Sequence, residues 1–455
     1  MLLFDECFPG PISHLLCWVF FNLDPRRRRN GNGCSIGLLP DDILVDILSR
    51  LPAPTILQCR KVCRHWRRLT SSTYFLAVQA KRAPSVVLVQ GIKPGPQKLK
   101  SEFYVFDANS KKLRSIPIKP SILDDWCIPH LHGACGPLLH LKGVEDTECD
   151  LIFESCGGMF LTIAIDCYRD IVFNPITGEL QGVKKDTQTF VCGLYFHEST
   201  NEYNFLCVRR SLSADECFEY FSYNLVSHTV KEIARSRFCC WRTSNHYPVA
   251  FKQALYMIAF PPKEEEVKCG ADHCCKHAIL VFEMDSERMY TLPHPEFDEC
   301  PERPYDNKFM CLFVHDGHLA LCHVRDLAHG LFDIWILEDC ENWRWVRKSR
   351  FGLQKPRVNG VFDRGMMIGT GCFMVSSVGK DELFIDWFSC FLLAVNLKHQ
   401  TFEEIKLPRK LKPTMFRCGV ACTSSLLTPP PQVLSYSWSL IDPNCTTYDP
   451  SQIKR

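Results

Sequence analysis

The segment KCGADHCCKH holds the densest group of residues that could bind a metal ion, namely Cys269, His273, Cys274, Cys275 and His277. Zinc takes four nitrogen or sulfur ligands in a tetrahedral arrangement. Adjacent cysteines strain such a site, and the usual spacing of a cysteine pair followed by a histidine pair is missing. The pattern therefore favours a charged loop over a zinc site, and we predict neither a metal nor a cofactor.

Carboxylate pairs are the next residues that could support catalysis. Asp124–Asp125 and Glu403–Glu404 are adjacent pairs, but enzymes that cleave glycosidic bonds need two carboxylates across a pocket, and neighbours in a strand point to opposite faces. The sequence contains no Gly-x-Ser-x-Gly elbow or His-Glu-x-x-His pair, and the glycine-rich residues 30–37 lack the lysine of a phosphate-binding loop. We predict that the chain has no catalytic residues and is not an enzyme.

The segment NWRWVRK, residues 342–348, interleaves aromatic and basic residues as nucleic-acid-binding proteins do. Alternation instead predicts a strand with Trp343 and Trp345 on one face and Arg344 on the other. We favour this strand over a nucleic-acid-binding segment. The whole chain has 53 basic and 51 acidic residues, a net charge of only +2. Such a balance produces no general attraction to nucleic acid or to an anionic membrane, so we predict neither partner.

Length and composition indicate two globular domains, since 455 residues exceed one ordinary domain and 46% are hydrophobic. The 27 cysteines are odd in number and irregularly spaced, and no secretory signal precedes them. Residues 12–23 are apolar but too short to span a membrane. We predict buried free thiols, a location in the cytoplasm and/or nucleus, and a disordered extension over residues 1–37, whose arginine run at 26–29 is either a nuclear address or solvated charge.

Residues 38–83 have a helical pattern. Pro40 suits a first helical turn, acidic residues follow it, and Ile43, Ile47 and Leu51 recur at four-residue intervals. Leu44 and Leu48 widen this stripe.

The same region contains signals for two further helices. Pro52 ends the first helix, and Thr55 is placed to cap the second, whose apolar positions are Val62, Cys63, Trp66 and Leu69. A third helix is predicted over residues 75–80. About 45 residues cannot bury so many apolar side chains, and an uncovered apolar stripe on a protein usually marks a partner site.

Residues 84–440 have an all-β texture, with a weak repeat in which an apolar strand ends on Asp, Asn or Glu before a polar turn. The repeated segments end at Asp107, Asn174, Asn224, Glu283, Glu338 and Asn396, with separations between 50 and 67 residues. This spacing is close to that of a kelch blade, and it favours a β-propeller of six or so blades over a pair of β-sandwiches. The predicted fold is therefore a small helical domain followed by a large all-β propeller, with residues 441–455 as a tail.

The motifs LLPDDILVDILSRLP and VCRHWRRL together resemble the F-box, a short helical module that docks on a Skp-type adaptor. In that family these positions form much of the adaptor-facing surface. The resemblance therefore implies an adaptor-binding site made of Leu39, Pro40, Ile43, Ile47, Leu48, Leu51, Pro52, Val62, Cys63 and Trp66.

The remainder resembles the kelch-like F-box-associated region of plant F-box proteins, in segments such as IVFNPITGEL, GLYFHESTNEYNFLCV and LFVHDGHLALCHV. Two positions depart from the family pattern: Pro54 replaces a polar residue, and His197 stands where Asp is usual. The resemblance implies a non-catalytic substrate-recognition subunit of an SCF-type cullin-RING ubiquitin ligase. The alternative is a propeller that binds, or acts on, a small ligand or glycan, with structural N-terminal helices.

Overall fold

The structure is a computed structural model that describes residues 39–51, 53–82, 85–94, 99–108, 110–115, 126–135, 138–145, 169–173, 180–183, 189–197, 199–200, 202–211, 217–240, 248–260, 279–297, 309–326, 330–352, 373–387, 391–406 and 416–423. It divides into two compact units, Met1–Ala83 and Pro84–Arg455. The predicted extension over 1–37, the tail over 441–455, the Asp124–Asp125 pair and the Cys269–His277 loop lie outside the described residues. In the described part, no helix is long and apolar enough to cross a membrane.

The first unit contains four helices among its described residues: α1 (Asp41–Leu48), α2 (Ala53–Cys59), α3 (Arg64–Thr70) and α4 (Thr73–Arg82). The predicted second helix is therefore two helices. Thr55 lies inside α2 and is buried, so its predicted capping role is wrong. Cys63 caps α3 instead, because its Sγ accepts a hydrogen bond from the Trp66 amide at 3.4 Å.

Apolar side chains from all four helices form the core of this unit. Leu44, Val45, Leu48, Ala53, Ile56, Cys59, Trp66 and Phe75 are each at most 5% exposed. Most recur at three- or four-residue spacing along their helices, which places them on the inner face of each helix. The burial of these side chains is what holds four helices this short together, because isolated helices of seven to ten residues are unstable in water.

The second unit is built from six four-stranded antiparallel sheets, which we call blades 1 to 6. Blade 1 contains β1 (Ser85–Pro94), β2 (Leu99–Asp107), β3 (Lys112–Ser115) and the last strand β24 (Phe416–Thr423). Blade 2 contains β4 (Trp126–Cys135), β5 (Leu138–Glu145), β6 (Arg169–Phe173) and β7 (Leu180–Val183). Blade 3 contains β8 (Phe190–His197), β9 (Glu202–Arg210), β10 (Phe218–Asn224) and β11 (Val230–Ser236).

Blade 4 contains β12 (Val249–Phe251), β13 (Ala254–Ile258), β14 (Ile279–Glu283) and β15 (Arg288–Leu292). Blade 5 contains β16 (Met310–His315), β17 (His318–Asp326), β18 (Leu331–Asp339) and β19 (Arg344–Gly352). Blade 6 contains β20 (Met374–Ser377), β21 (Glu382–Trp387), β22 (Phe391–Asn396) and β23 (Thr401–Glu404). The predicted propeller is confirmed.

Blade 1 closes the propeller by joining the two ends of the β region. Its strand order is β24-β1-β2-β3, so the last strand pairs with the first, from Ser85 opposite Thr423 to Ile92 opposite Phe416. This ladder of backbone hydrogen bonds removes the open edge that β1 would otherwise present. Side chains also cross the closure, because the Phe106 ring of blade 1 packs on the Phe384 ring of blade 6 with centroids 5.1 Å apart.

The weak sequence repeat corresponds to one structural position. The described residues of all six repeated segments lie in the third strand of their blades, namely β2, β6, β10, β14, β18 and β22, and Asn174 lies outside the described residues. The terminal polar residue often shapes the turn that follows: Asn224 Oδ1 accepts the amides of Val226 and Ser227 at 2.8 Å. In blade 5 this residue is Asp339 rather than the predicted Glu338, since Asp339 Oδ1 accepts the next turn amides.

His197 performs the turn function of the aspartate that the family pattern has at this position. Its Nδ1 accepts the Thr200 amide at 3.3 Å, and the hydroxyls of Ser199 and Thr200 lie at 3.1 Å. An imidazole nitrogen replaces a carboxylate oxygen as the acceptor for the β8–β9 turn, so the hairpin keeps its geometry.

The NWRWVRK segment packs as a blade edge, with one correction. β19 begins at Arg344, and Trp343 lies in the preceding turn with φ at 52°. Both indoles still pack together, with ring centroids 5.5 Å apart, and Trp343 stacks on Tyr256. Neighbouring side chains therefore pack against both rings, which are half-buried at the edge of the blade.

Candidate functional site

The described residues expose an apolar row along one side of α1. Leu39, Ile43 and Ile47 recur every fourth residue, and their exposed fractions are 37%, 43% and 37%. Ile43 and Ile47, four residues apart, lie on one face of α1, and Leu39 lies just before the helix begins. We call these three residues the exposed row; all three belong to the adaptor-binding set implied by the sequence.

The opposite side of α1 explains why the exposed row is held in place. Leu44, Val45 and Leu48 are at most 4% exposed and face the core of the helical unit. α1 therefore has two apolar faces, of which one is used for folding. The other remains in solvent, and exposing it is unfavourable unless a partner covers it.

Burial divides the predicted adaptor-binding set into exposed residues and residues beneath them. Leu48, Leu51 and Trp66 are 2%, 8% and 5% exposed, so they support the surface from below. Trp66, which the resemblance placed in the adaptor-binding set, lies in the core of the helical unit, and spacing alone does not distinguish the two apolar faces. Pro40 and Cys63 are exposed, Val62 is half-buried, and Pro52 lies outside the described residues.

Polar contacts fix α4 to the end of α1. The Arg82 guanidinium contacts Ser49 Oγ at 2.7 Å, the Asp46 carbonyl at 3.1 Å and the Asp46 carboxylate at 2.8 Å. Hydrogen bonds from Arg50 and then Arg82 lower the pKa of Asp46, so this carboxylate remains charged at neutral pH. These contacts of Arg82 lie beside Ile47 and restrain the C-terminal end of the exposed row.

One exposed apolar residue was missed by the sequence reasoning. Tyr74 at the start of α4 is 66% exposed. With the exposed row, it accounts for half of the large exposed apolar side chains among the described residues; the others are Val226, Tyr290, Val346 and Phe402. The local signal was weak, because a single tyrosine in a short helix has no periodic partner. Apolar exposure is thus concentrated in the small helical unit.

Several described carboxylates of the propeller are either exposed or paired with arginine. Glu403 and Glu404 are both exposed on β23, the outermost strand of blade 6, as expected for solvated charges. The buried Glu219 and Asp333 are paired with arginines: Arg209 Nε lies 2.8 Å from Glu219, and Arg350 makes two bonds to Asp333 at 2.9 and 3.1 Å. Although burial raises it, the pKa of Glu219 is lowered overall by the bonds from Arg209 and Ser211.

Most free thiols of the described part are buried. Cys59, Cys192, Cys240, Cys311 and Cys322 are buried free thiols, in agreement with the predicted use of cysteine. Burial raises the pKa of Cys59 to about 11, so it is an unreactive thiol at neutral pH. No group of three or more metal-binding side chains occurs among the described residues.

Comparisons with known proteins agree with this architecture. The family model "F-box-like" matches residues 36–76, and the model "F-box associated beta propeller domain" matches residues 129–380, more than half of the chain. The chain belongs to the F-box associated β-propeller family. It is an F-box protein of the plant type, with a helical F-box-like domain before the propeller.

The F-box protein has relatives in Arabidopsis thaliana. The F-box protein At3g07870 is 21% identical over 401 residues, which cover 82% of this chain and 89% of the relative. Arabidopsis At3g17490, also named for an F-box, is 23% identical over 320 residues, 68% of this chain and 73% of its own length. Both matches extend well beyond the helical domain.

Proposed function

We propose that this F-box protein is the substrate-recognition subunit of an SCF-type cullin-RING ubiquitin ligase. The helical unit would dock on a Skp-type adaptor, and the propeller would bind the target protein. The observation that carries the proposal is the exposed row of Leu39, Ile43 and Ile47 on an F-box-like domain. A stable row of this kind is best explained by a partner that covers it.

The surface is preorganised for docking. Leu44, Val45 and Leu48 hold α1 against the core, and Arg82 restrains its C-terminal end. Little conformational entropy remains to be lost when a partner binds, so more of the contact energy contributes to affinity.

The role in ubiquitination is non-catalytic. A receptor of this kind raises the effective concentration of target lysines near a ubiquitin-charged enzyme, and it needs no acid, base or nucleophile of its own. The pairing of Glu219 and Asp333 with arginines supports this part of the proposal. We further propose a location in the cytoplasm and/or nucleus, supported by the buried free thiols; imaging of the tagged full chain tests it, and secretion would contradict it.

Co-purification with a purified Skp-type adaptor tests the docking step. The variants are the wild type, the double substitution Ile43→Asp/Ile47→Asp, and the control Val346→Asp, whose side chain has the same 37% exposure as Ile47 but lies on β19. We expect the wild type and the control to retain the adaptor and the double variant to lose it. Equal retention by all three proteins would refute the assignment of the surface.

The target protein is identified by affinity purification of the full chain while proteasome and ubiquitin-ligase activity are blocked. A genuine target should bind the Ile43→Asp/Ile47→Asp variant as well as the wild type, because recognition resides in the propeller. Ubiquitination of this target should require the wild-type residues of the exposed row. A bound protein whose ubiquitination is unaffected by the double substitution is not a target delivered through the adaptor.

A further inference from the structure

The helical unit carries a concentration of positive charge that apolar docking does not explain. Residues 39–82 contain eight lysines and arginines but only three acidic residues, whereas the whole chain is almost balanced at 53 against 51. Four of the cations lie close together, just before and within α3, and all four are exposed. We call Lys61, Arg64, Arg67 and Arg68 the basic patch.

The carboxylates of the helical unit do not neutralise the basic patch. Asp46 is held by Arg50 and Arg82, and Asp41 lies 3.0 Å from His65 Nε2. No cation of the patch forms an ion pair with a carboxylate of the described residues. Its positive charge is therefore available to a partner.

The position of Arg64 is locally unfavourable, whereas Arg67 and Arg68 lie in the last turn of α3, where the helix dipole favours positive charge. Arg64 is three and four residues before Arg67 and Arg68, and like charges at these spacings repel on a helix. Arg64 also lies in the first turn of α3, where the helix dipole favours negative charge. An acidic partner surface would offset both costs.

Two of the four cations have a structural contact and two do not. Arg67 Nε donates to the Arg60 carbonyl at 3.3 Å, and Arg68 Nη2 lies 3.5 Å from His65 Nδ1. Within the described part, Lys61 and Arg64 make no such side-chain contact. These two residues can therefore be changed with little effect on the fold, and they are the appropriate test of the patch.

The helices that carry most of the basic patch and of the exposed row, α3 and α1, are joined by one polar contact. His65, between Arg64 and Arg67, reaches Asp41 at the start of α1, and Asp41 lies between Leu39 and Ile43 in the sequence. One partner can therefore cover apolar and basic residues together. A protein surface fits this mixture better than nucleic acid, because duplex binding rests on phosphate contacts and does not need an adjoining aliphatic row.

We propose that the basic patch is the electrostatic half of the adaptor-docking surface and contacts an acidic region of the adaptor, which steers association. The inference rests on the proposed function. Opposite charges across an interface act mainly on the association rate and its salt dependence, whereas buried apolar anchors act mainly on dissociation. The two halves of the surface should therefore have different kinetic effects.

The test measures association of the full chain with a purified Skp-type adaptor at about 50 and 300 mM NaCl, a range over which surface charge is increasingly screened. The variants are Lys61→Glu/Arg64→Glu and the milder Lys61→Gln/Arg64→Gln. The control Lys380→Glu/Lys398→Glu makes the same change in net charge at exposed turn residues of blade 6. Circular dichroism of each variant verifies folding, and the milder pair decides the result if the charge reversal unfolds the domain.

We expect the charge reversal to slow association on the order of tenfold at low salt and to flatten its salt dependence, while the dissociation rate stays close to that of the wild type. The neutral pair should show a smaller slowing, and the blade 6 control should match the wild type. Equal slowing by the patch variant and the control would overturn the inference, because net charge alone would then explain it.

Other outcomes separate this inference from the proposed function. If Ile43→Asp/Ile47→Asp abolishes binding while both patch variants associate like the wild type, docking stands and the inference falls. If the wild type does not bind the adaptor at either salt concentration, both fall. A 20-base-pair DNA duplex serves as the competing probe: loss of DNA binding in the patch variants with unchanged adaptor association would make the patch a nucleic-acid site and refute the inference.

Discussion

The energetic contribution of the exposed row can be estimated from Ile43 and Ile47. Their exposed fractions of 43% and 37% together amount to about four-fifths of one aliphatic side chain. Complete burial of such a side chain is worth about 1.5–3 kcal/mol, and alanine keeps part of the contact. The double substitution Ile43→Ala/Ile47→Ala should therefore cost about 1–2 kcal/mol of binding free energy, which is about 5- to 30-fold in Kd.

Isothermal titration of the full chain with a purified Skp-type adaptor measures this change. Val346→Ala is the matched control, because Val346 is 37% exposed on β19 and should leave Kd unchanged. Leu48→Ala is the second control: Leu48 is 2% exposed, so its truncation should remove about 2–5 kcal/mol from the stability of the helical unit. Hydrogen exchange of α1–α4 reports that loss separately from binding.

The reasoning is refuted by either of two results. An unchanged Kd for Ile43→Ala/Ile47→Ala would mean that the row is ordinary solvated surface. Faster hydrogen exchange in that variant, comparable with Leu48→Ala, would mean that the two isoleucines stabilise the domain instead of contacting a partner.

Three further predictions follow from buried or turn-forming side chains. Trp66→Ala should destabilise the helical unit by about 3–5 kcal/mol, seen as faster hydrogen exchange of α3; normal protection with weaker adaptor binding would restore Trp66 as a surface anchor. Burial, and then His294, lower the pKa of His323 to about 4. Because the histidine binds a proton more readily in the unfolded chain, the contribution of His323 to stability against urea should be constant above about pH 6.5 and fall by about 3 kcal/mol towards pH 4. The His323→Leu variant should lack this part of the loss. The same dependence of stability on pH in the variant and the wild type would contradict the prediction. His197→Ala should lower thermal stability by about 0.5–1.5 kcal/mol and His197→Asp should not, because only aspartate keeps an acceptor for the Thr200 amide; equal losses would show that the turn does not depend on that acceptor.

Local patterns in the sequence predicted the architecture well where one interaction dominates. The third strands of the blades share an apolar run followed by a turn-forming side chain. This pattern is recognisable in the sequence because a residue such as Asn224 or Asp339 accepts hydrogen bonds from the amides of its own turn. The apolar excess in residues 38–83 likewise indicated an uncovered face. Both signals depend on residues close in sequence.

Distinctions that the sequence reasoning missed depend on contacts between distant residues. Leu48 and Ile47 are neighbours of similar hydrophobicity, yet one is buried and the other exposed, because packing of α3 against α1 selects the face that is covered. Trp343 was placed in a strand by alternation, but its contacts with Tyr256 and the Pro293 carbonyl hold it in a turn.

The amino-acid sequence by itself determined that this chain is a small helical module followed by repeated β units, because periodicity and turn chemistry act over a few residues. Only the tertiary structure decided which apolar residues of α1 are available to a partner and that the last strand, β24, completes the first blade. Burial and strand closure are set by residues far apart in the chain, and spacing along one segment carries no record of them.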